Sequence, residues 1–151
     1  MNNFSDIVFQ TEAGCLMFSP VKVCNDEGFF DFRISCALAK DFSRFLQGDF
    51  ACRLYSKDIE RLVAEFDNHV RGLILGEYAQ SLSYVPLESD IQIQFLDGEV
   101  VDISDGYFSI IILFNCGKAD EASSNTYFGL ETVVEVSDFK SFCEGLKRLI
   151  L

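Results

Sequence analysis

The sequence predicts an α+β fold: a mainly antiparallel β-sheet with two helices, about residues 57–71 and 138–150. Two observations carry this reading. Apolar residues alternate with polar ones in several short segments joined by turn chemistry, which is the pattern of half-buried strands. Two longer segments instead repeat their apolar residues at helical spacing, and each follows a group of strands, so the order is strands, helix, strands, helix. At 151 residues the chain has the length of a single domain, 1–151, and is long enough to bury a core without disulfide staples.

Ser5–Gln10 is β-branched and aromatic and reads as the first strand. Cys15–Cys24 reads as a strand broken by Pro20, which lacks a backbone donor. Asn25-Asp26-Glu27-Gly28 is a turn. Phe30, Phe32, Ile34, Cys36 and Leu38 then alternate with Asp31, Arg33, Ser35 and Ala37. Lys40–Gln47 fits neither period. Phe50, Cys52 and Leu54 alternate again. Ser56 reads as the N-cap of the first helix, whose stripe is Ile59, Leu62, Val63, Phe66, Val70 and Leu73. Arg71 and Gly72 are stop signals.

Ala79–Tyr84 reads as a short strand ended by Pro86. Ile91, Ile93 and Phe95 alternate with Gln92 and Gln94, and Asp97-Gly98 signals a hairpin. A three-residue loop, Asp97-Gly98-Glu99, pairs Phe95 with Val101 and Ile93 with Ile103. It leaves Asp102 on the polar face with Gln92 and Gln94. Tyr107–Phe114 is apolar on both faces, as in a covered central strand. Asn115–Asn125 is a polar loop. Phe128, Leu130, Thr132, Val134 and Val136 alternate with Glu131 and Glu135. Ser137 reads as the cap of the last helix, with Phe139, Phe142, Cys143, Leu146 and Ile150 as its buried stripe.

The net charge of −12 is unevenly placed. Between Gly72 and Phe139 there are twelve carboxylates and one lysine, whereas the first 71 residues hold eleven acids and eight bases. A one-sided negative field attracts a cationic partner and repels nucleic acid and anionic membranes. The longest apolar run, Ile110–Phe114, is far below the ~18 residues of a membrane span. The N-terminus has neither a basic segment nor a long apolar one, so the expectation is a soluble, cytoplasmic protein without a signal peptide.

Six cysteines are present, at 15, 24, 36, 52, 116 and 143, with no C-x-x-C pair and a single histidine, His69. This spacing suits buried reduced thiols and gives no zinc pattern. No phosphate-loop, dinucleotide, nucleophile-elbow or H-E-x-x-H motif occurs. His69 with Cys52 as a nucleophile has nothing in the sequence to support it. The carboxylate pairs Glu88/Asp90, Glu99/Asp102 and Glu131/Glu135 read as solvated faces and turns. No catalytic, cofactor or metal residue is therefore expected, and the protein reads as a binding protein, not an enzyme.

Residues 56–151 carry a resemblance. A capped helix with Ile59-x-x-Leu62-Val63-x-x-Phe66 is followed by Gly76-Glu77-Tyr78-Ala79. Next come Leu87 to Ile93, the Asp97-Gly98 turn with Val100-Val101-Asp102-Ile103, a long apolar strand, and Ser137 to Phe142 opening the last helix. This order resembles the bacterial immunity proteins of polymorphic-toxin and contact-dependent growth inhibition systems, of the WapI kind. The resemblance implies binding and neutralisation of one cognate secreted toxin, often a basic nuclease, through its C-terminal toxin domain. With the charge asymmetry, the expected partner-binding residues are Glu88, Asp90, Asp97, Glu99, Asp102 and Asp105, with Tyr84 and Tyr107 as exposed aromatic anchors. Three other readings remain open. One is an acidic chaperone or adaptor like those of type III secretion, although such proteins usually open with a helix. The others are a small hydrolase and a structural subunit.

Overall fold

Seven strands and two helices surround one phenylalanine-rich core. They are seen in a computed structural model that describes residues 4–39, 41, 43–44, 48–77, 83–117 and 124–150. β1 (Ile7–Thr11), β2 (Gly14–Cys24), β3 (Phe29–Leu38) and β4 (Asp49–Tyr55) form an antiparallel sheet in chain order. α1 (Ser56–Ile74) follows. β5 (Ile91–Asp102), β6 (Asp105–Asn115) and β7 (Tyr127–Glu135) form a second antiparallel sheet, and α2 (Val136–Lys147) closes the described chain. The α+β class holds, with two sheets in place of one. Alternation works as expected in β1 and β3. Ile7 and Phe9, then Phe30, Phe32 and Ile34, face the core.

The inner faces of both sheets close over the two helices. α1 contributes Ile59, Leu62, Phe66, Val70 and Leu73, and α2 contributes Phe139, Phe142, Cys143 and Leu146. Phe139 lies among Phe9 of β1 (centroids 5.3 Å apart), Phe66 of α1 (4.8 Å), Phe95 of β5 (5.3 Å) and Phe108 of β6 (6.1 Å). Edge-to-face pairs of this kind add to area burial. They explain how a chain with sixteen phenylalanines and no tryptophan packs.

Several local expectations change. β2 passes through Pro20 without ending, because a bulge between Pro20 and Lys22 absorbs the missing donor. Both helices begin before their expected caps allow, α1 by one residue and α2 by two. Tyr55 occupies the N-cap of α1, and its N–H donates to Asp58 Oδ2 at 2.9 Å. Glu135 precedes α2, and Ser137 lies within it. Most of the Lys40–Gln47 segment, most of the Ala79–Tyr84 strand and the middle of the Asn115–Asn125 loop lie outside the described residues.

The largest correction concerns the hairpin. β5 continues through Asp97-Gly98 to Asp102, and Phe95 pairs with Ile110, not with Val101. The turn is Ile103-Ser104. Gly98 sits opposite Phe108, where a Cβ would collide with the Tyr107 carbonyl oxygen and the Phe108 backbone. The glycine is there for close strand approach, not for a turn. A bulge between Phe95 and Gly98 shifts the register.

Asp58 anchors the connection leading into β5. It is buried, and besides Tyr55 it accepts from the Leu87 N–H (3.1 Å) and from Arg61 (3.4 Å). Its backbone carbonyl accepts from the Tyr84 hydroxyl at 2.8 Å. A buried carboxylate with several donors is costly to delete because the donors are left unpaired. Asp58→Ala is therefore expected to lower stability by about 2–4 kcal/mol. Chemical denaturation checks this; a loss within error of the wild type would remove Asp58 from this role.

Candidate functional site

The end of the β5–β6 hairpin projects past the aromatic core. Its inner face still contributes Val100, but Val101 (71% exposed), Ile103 (57%) and Tyr107 (46%) are open to solvent. Asp97, Glu99, Asp102 and Asp105 are exposed around them. Tyr107 pairs in register with Glu99 of β5 on one side and Glu135 of β7 on the other. Directly opposed residues on one sheet face lie within side-chain contact range, so the ring is flanked by two carboxylates. Tyr107 also borders a depression of about 590 Å³ lined by Glu12, Glu135 and Asp138. Among the described residues none of Asp97, Glu99, Asp102 and Asp105 forms an ion pair.

Asp102 has a local task as well. Its Oδ1 accepts from the Ser104 N–H and from the Ser104 hydroxyl, both at 2.8 Å. These bonds hold its carboxyl below the usual range. They close the turn, so this residue both carries charge and shapes the hairpin tip.

The expected site residues separate into two groups. Asp97, Glu99, Asp102, Asp105 and Tyr107 come together on the hairpin. Glu88 and Asp90 lie just before the other end of β5, with Asp90 roughly 23 Å from Asp97 at strand rise. There Asp90 Oδ2 accepts from the Arg53 N–H at 2.8 Å, and Glu88 accepts from the Tyr55 hydroxyl at 3.1 Å. Both are half-buried and join β5 to β4. Tyr84 is corrected outright: it is fully buried, its backbone pairs with Ile93, and Arg61 lies over its ring at 4.6 Å. An apolar body with one polar tip fits an internal hydrogen bond as readily as an interface, and sequence cannot distinguish the two. Glu12, Glu135 and Asp138, beside Tyr107, were not among the expected residues. Strand register, which depends on β7 pairing with β6, is what brings Glu135 there.

His69 is buried and grips the hairpin from beneath. Its Nε2 lies 2.7 Å from the Leu96 carbonyl oxygen, and its ring stacks on Phe95 at 5.4 Å between centroids. The Phe95–Gly98 bulge places Leu96 and Asp97 at this grip, so His69 helps aim the acidic tip. Bonding to a carbonyl requires Nε2 to carry the proton. Burial pushes the ring's pKa below its ordinary 6.5, opposed by the Leu96 carbonyl and the Asp97 charge. All six cysteines are free thiols; Cys52 and Cys143 are buried and Cys116 is exposed. Burial pushes Cys36 up to about 11, with Asp49 and Cys15 adding to it. Among the described residues no group of three His, Cys, Asp or Glu side chains is placed to hold a metal ion, and no helix is long and apolar enough to cross a membrane.

The arrangement is that of a two-sheet α+β protein presenting an acidic hairpin with an apolar centre. No protein-family model matches the chain, and no curated protein matches it.

The lowered pKa of His69 has a pH signature. In the window below 6.5 the unfolded chain binds the proton more readily than the folded one, so stability is full above that window and falls as pH drops through it. His69→Gln, which can keep the donor and cannot charge, is expected to flatten this fall between pH 7 and about pH 5.5. Parallel urea midpoints for wild type and variant check it. Identical pH slopes would exclude His69 as the source.

Proposed function

We propose that this protein is an immunity-type inhibitor. It binds a cognate basic protein toxin, of the nuclease kind, in the cytoplasm and holds it inactive through the end of the β5–β6 hairpin, without catalysis of its own. The observation that carries this reading is the exposed Val101–Ile103–Tyr107 surface ringed by Asp97, Glu99, Asp102, Asp105 and Glu135. Interface hot spots combine aromatic or apolar anchors with charges that are desolvated on binding. Close charge pairs across such interfaces couple by about 1.5–7 kcal/mol. Among the described residues the hairpin acids form no ion pair, so a cationic partner would find them uncompensated. The same field opposes binding of nucleic acid, whose affinity rests on phosphate neutralisation.

The chaperone reading has less support, because β1, β2 and β3 occupy the region where a leading helix would favour it. The hydrolase reading lacks a histidine beside a thiol in a cleft, since His69 Nε2 is held by Leu96.

A pull-down from the protein's source cells at low and high salt, with mass spectrometry, tests the proposal. A basic protein with a toxin-like C-terminal domain, held more strongly at low salt, is the expected result. The triple variant Asp97→Lys, Glu99→Lys, Asp105→Lys should weaken that complex by at least about tenfold and leave thermal unfolding unchanged. Asp102→Asn tests that charge separately, because its amide oxygen can still accept from Ser104. Unchanged affinity of the triple variant would place the interface elsewhere. Retention of nothing at either salt would reduce the acidic half to a solubility feature.

A further inference from the structure

β7 is an edge strand, paired with β6 on one side only. At Val133 its free side is met by the β1–β2 turn. The Glu12 N–H donates to the Val133 carbonyl at 2.9 Å, and the Ala13 N–H donates to Thr132 Oγ1 at 3.1 Å. Toward Phe128 the two sheets leave a cleft of about 750 Å³. Every residue from Phe128 to Val133 borders it, with Leu38, Ala13 and Glu12 on the other wall. Side chains of a strand alternate between faces, so a cleft touching successive residues runs along the strand's lateral edge. Val133 directs its carbonyl to that edge, and alternation directs the N–H and C=O of Glu131 and Gly129 there too. Among the described residues neither has a backbone partner on that side.

The surroundings of this edge define what fits it. Phe128 is 45% exposed, and Leu130 is half-buried, so an apolar side chain has a place to pack. Glu12 and Glu131 are exposed at its borders, and among the described residues they form no ion pair and no basic side chain lines the cleft. A second copy of this chain would bring Glu131 and a net charge of −12 against their like. We propose that the β7 edge is a strand-addition site for an extended segment of a basic protein. The segment's main chain pairs with Glu131 and Gly129. Its side chains alternate between apolar groups over Phe128 and Leu130 and lysine or arginine beside Glu12 and Glu131. Main-chain bonds supply affinity and alternate side chains supply selectivity in this mode. The site does not depend on the hairpin surface, and either stands if the other fails.

The test titrates the full-length, isotope-labelled protein with a short synthetic peptide alternating valine and lysine. Its controls are the same peptide N-methylated at alternate amides and a valine–glutamate peptide. Binding of the first peptide, with shifts and slowed exchange at the Gly129 and Glu131 amides, is expected. N-methylation should weaken it by about tenfold or more, the effect of one or two lost hydrogen bonds. Glu131→Pro should do the same, since it removes a donor that β6 does not use. Glu131→Gln should weaken binding less and reduce its salt dependence. Should Glu131→Pro fail to fold, the N-methylated peptide still decides. Equal binding of methylated and unmethylated peptides would show attraction by charge alone and overturn the proposal. So would shifts confined to other strands, or concentration-dependent protection of the edge without peptide, which would give it to a second copy. Absence of binding would also overturn it and leave Glu12 and Glu131 as guards against edge-to-edge pairing.

Discussion

The ring of Phe139 sets the constraint on which the rest depends. It is the meeting point of β1, α1, β5 and β6, so the two sheets, which share no continuous ladder, are held in one body through it. Phe142 extends the same contact to Phe9 and Phe18 of the first sheet, at 4.9 Å in each case. Interiors of this density transmit volume changes directly to their neighbours. Because the helices fill the inner faces, the outer faces remain for solvent or partners. β5 and β6 are longer than the helices can cover, and their excess length is the acidic hairpin.

The charge asymmetry gains a physical meaning from the fold. In the first half of the chain, three arginines are paired with carboxylates of the same half. Arg53 binds Asp31 at 2.6 and 2.9 Å, Arg61 meets Asp58 and donates to the Val85 carbonyl at 2.7 Å, and Arg33 lies 3.6 Å from Asp49. The acids after Gly72 divide. Glu88 and Asp90 are satisfied by β4 and act in the fold. Those of the hairpin are exposed and form no ion pair among the described residues. Exposed charges contribute little to stability, so their clustering is not explained by folding energetics; its physical consequence is a one-sided negative field over the hairpin.

Much of this architecture was legible in the chain. Period-two alternation located β3, β4 and β7, and helical spacing located both helices to within a few residues, because those signals are local. The failures share a cause: each depends on a neighbour distant in sequence. Asp97-Gly98 has the composition of a turn, but the collision awaiting a Cβ at Gly98 comes from β6. Tyr84 looked like an exposed anchor until Asp58, twenty-six residues earlier, provided its acceptor. Tyr107 was identified by exposure-prone chemistry, yet its flanking Glu135 arrives only through the β6–β7 register.

The two surfaces meet on β7. Glu135, at one end of that strand, flanks Tyr107 of the hairpin, while Glu131 and Phe128 border the cleft toward the other end. Val133 and Thr132 between them are tied to the β1–β2 turn, which separates the open edge from the hairpin side of the strand. From Phe128 to Glu135 is roughly 23 Å at strand rise, a distance one partner can span within a standard-size interface. A partner using both would combine a main-chain ladder, indifferent to sequence, with a charge-lined apolar patch that is not. The first element would give affinity and the second discrimination, and specificity for one partner arises where such a general contact is joined to a selective one.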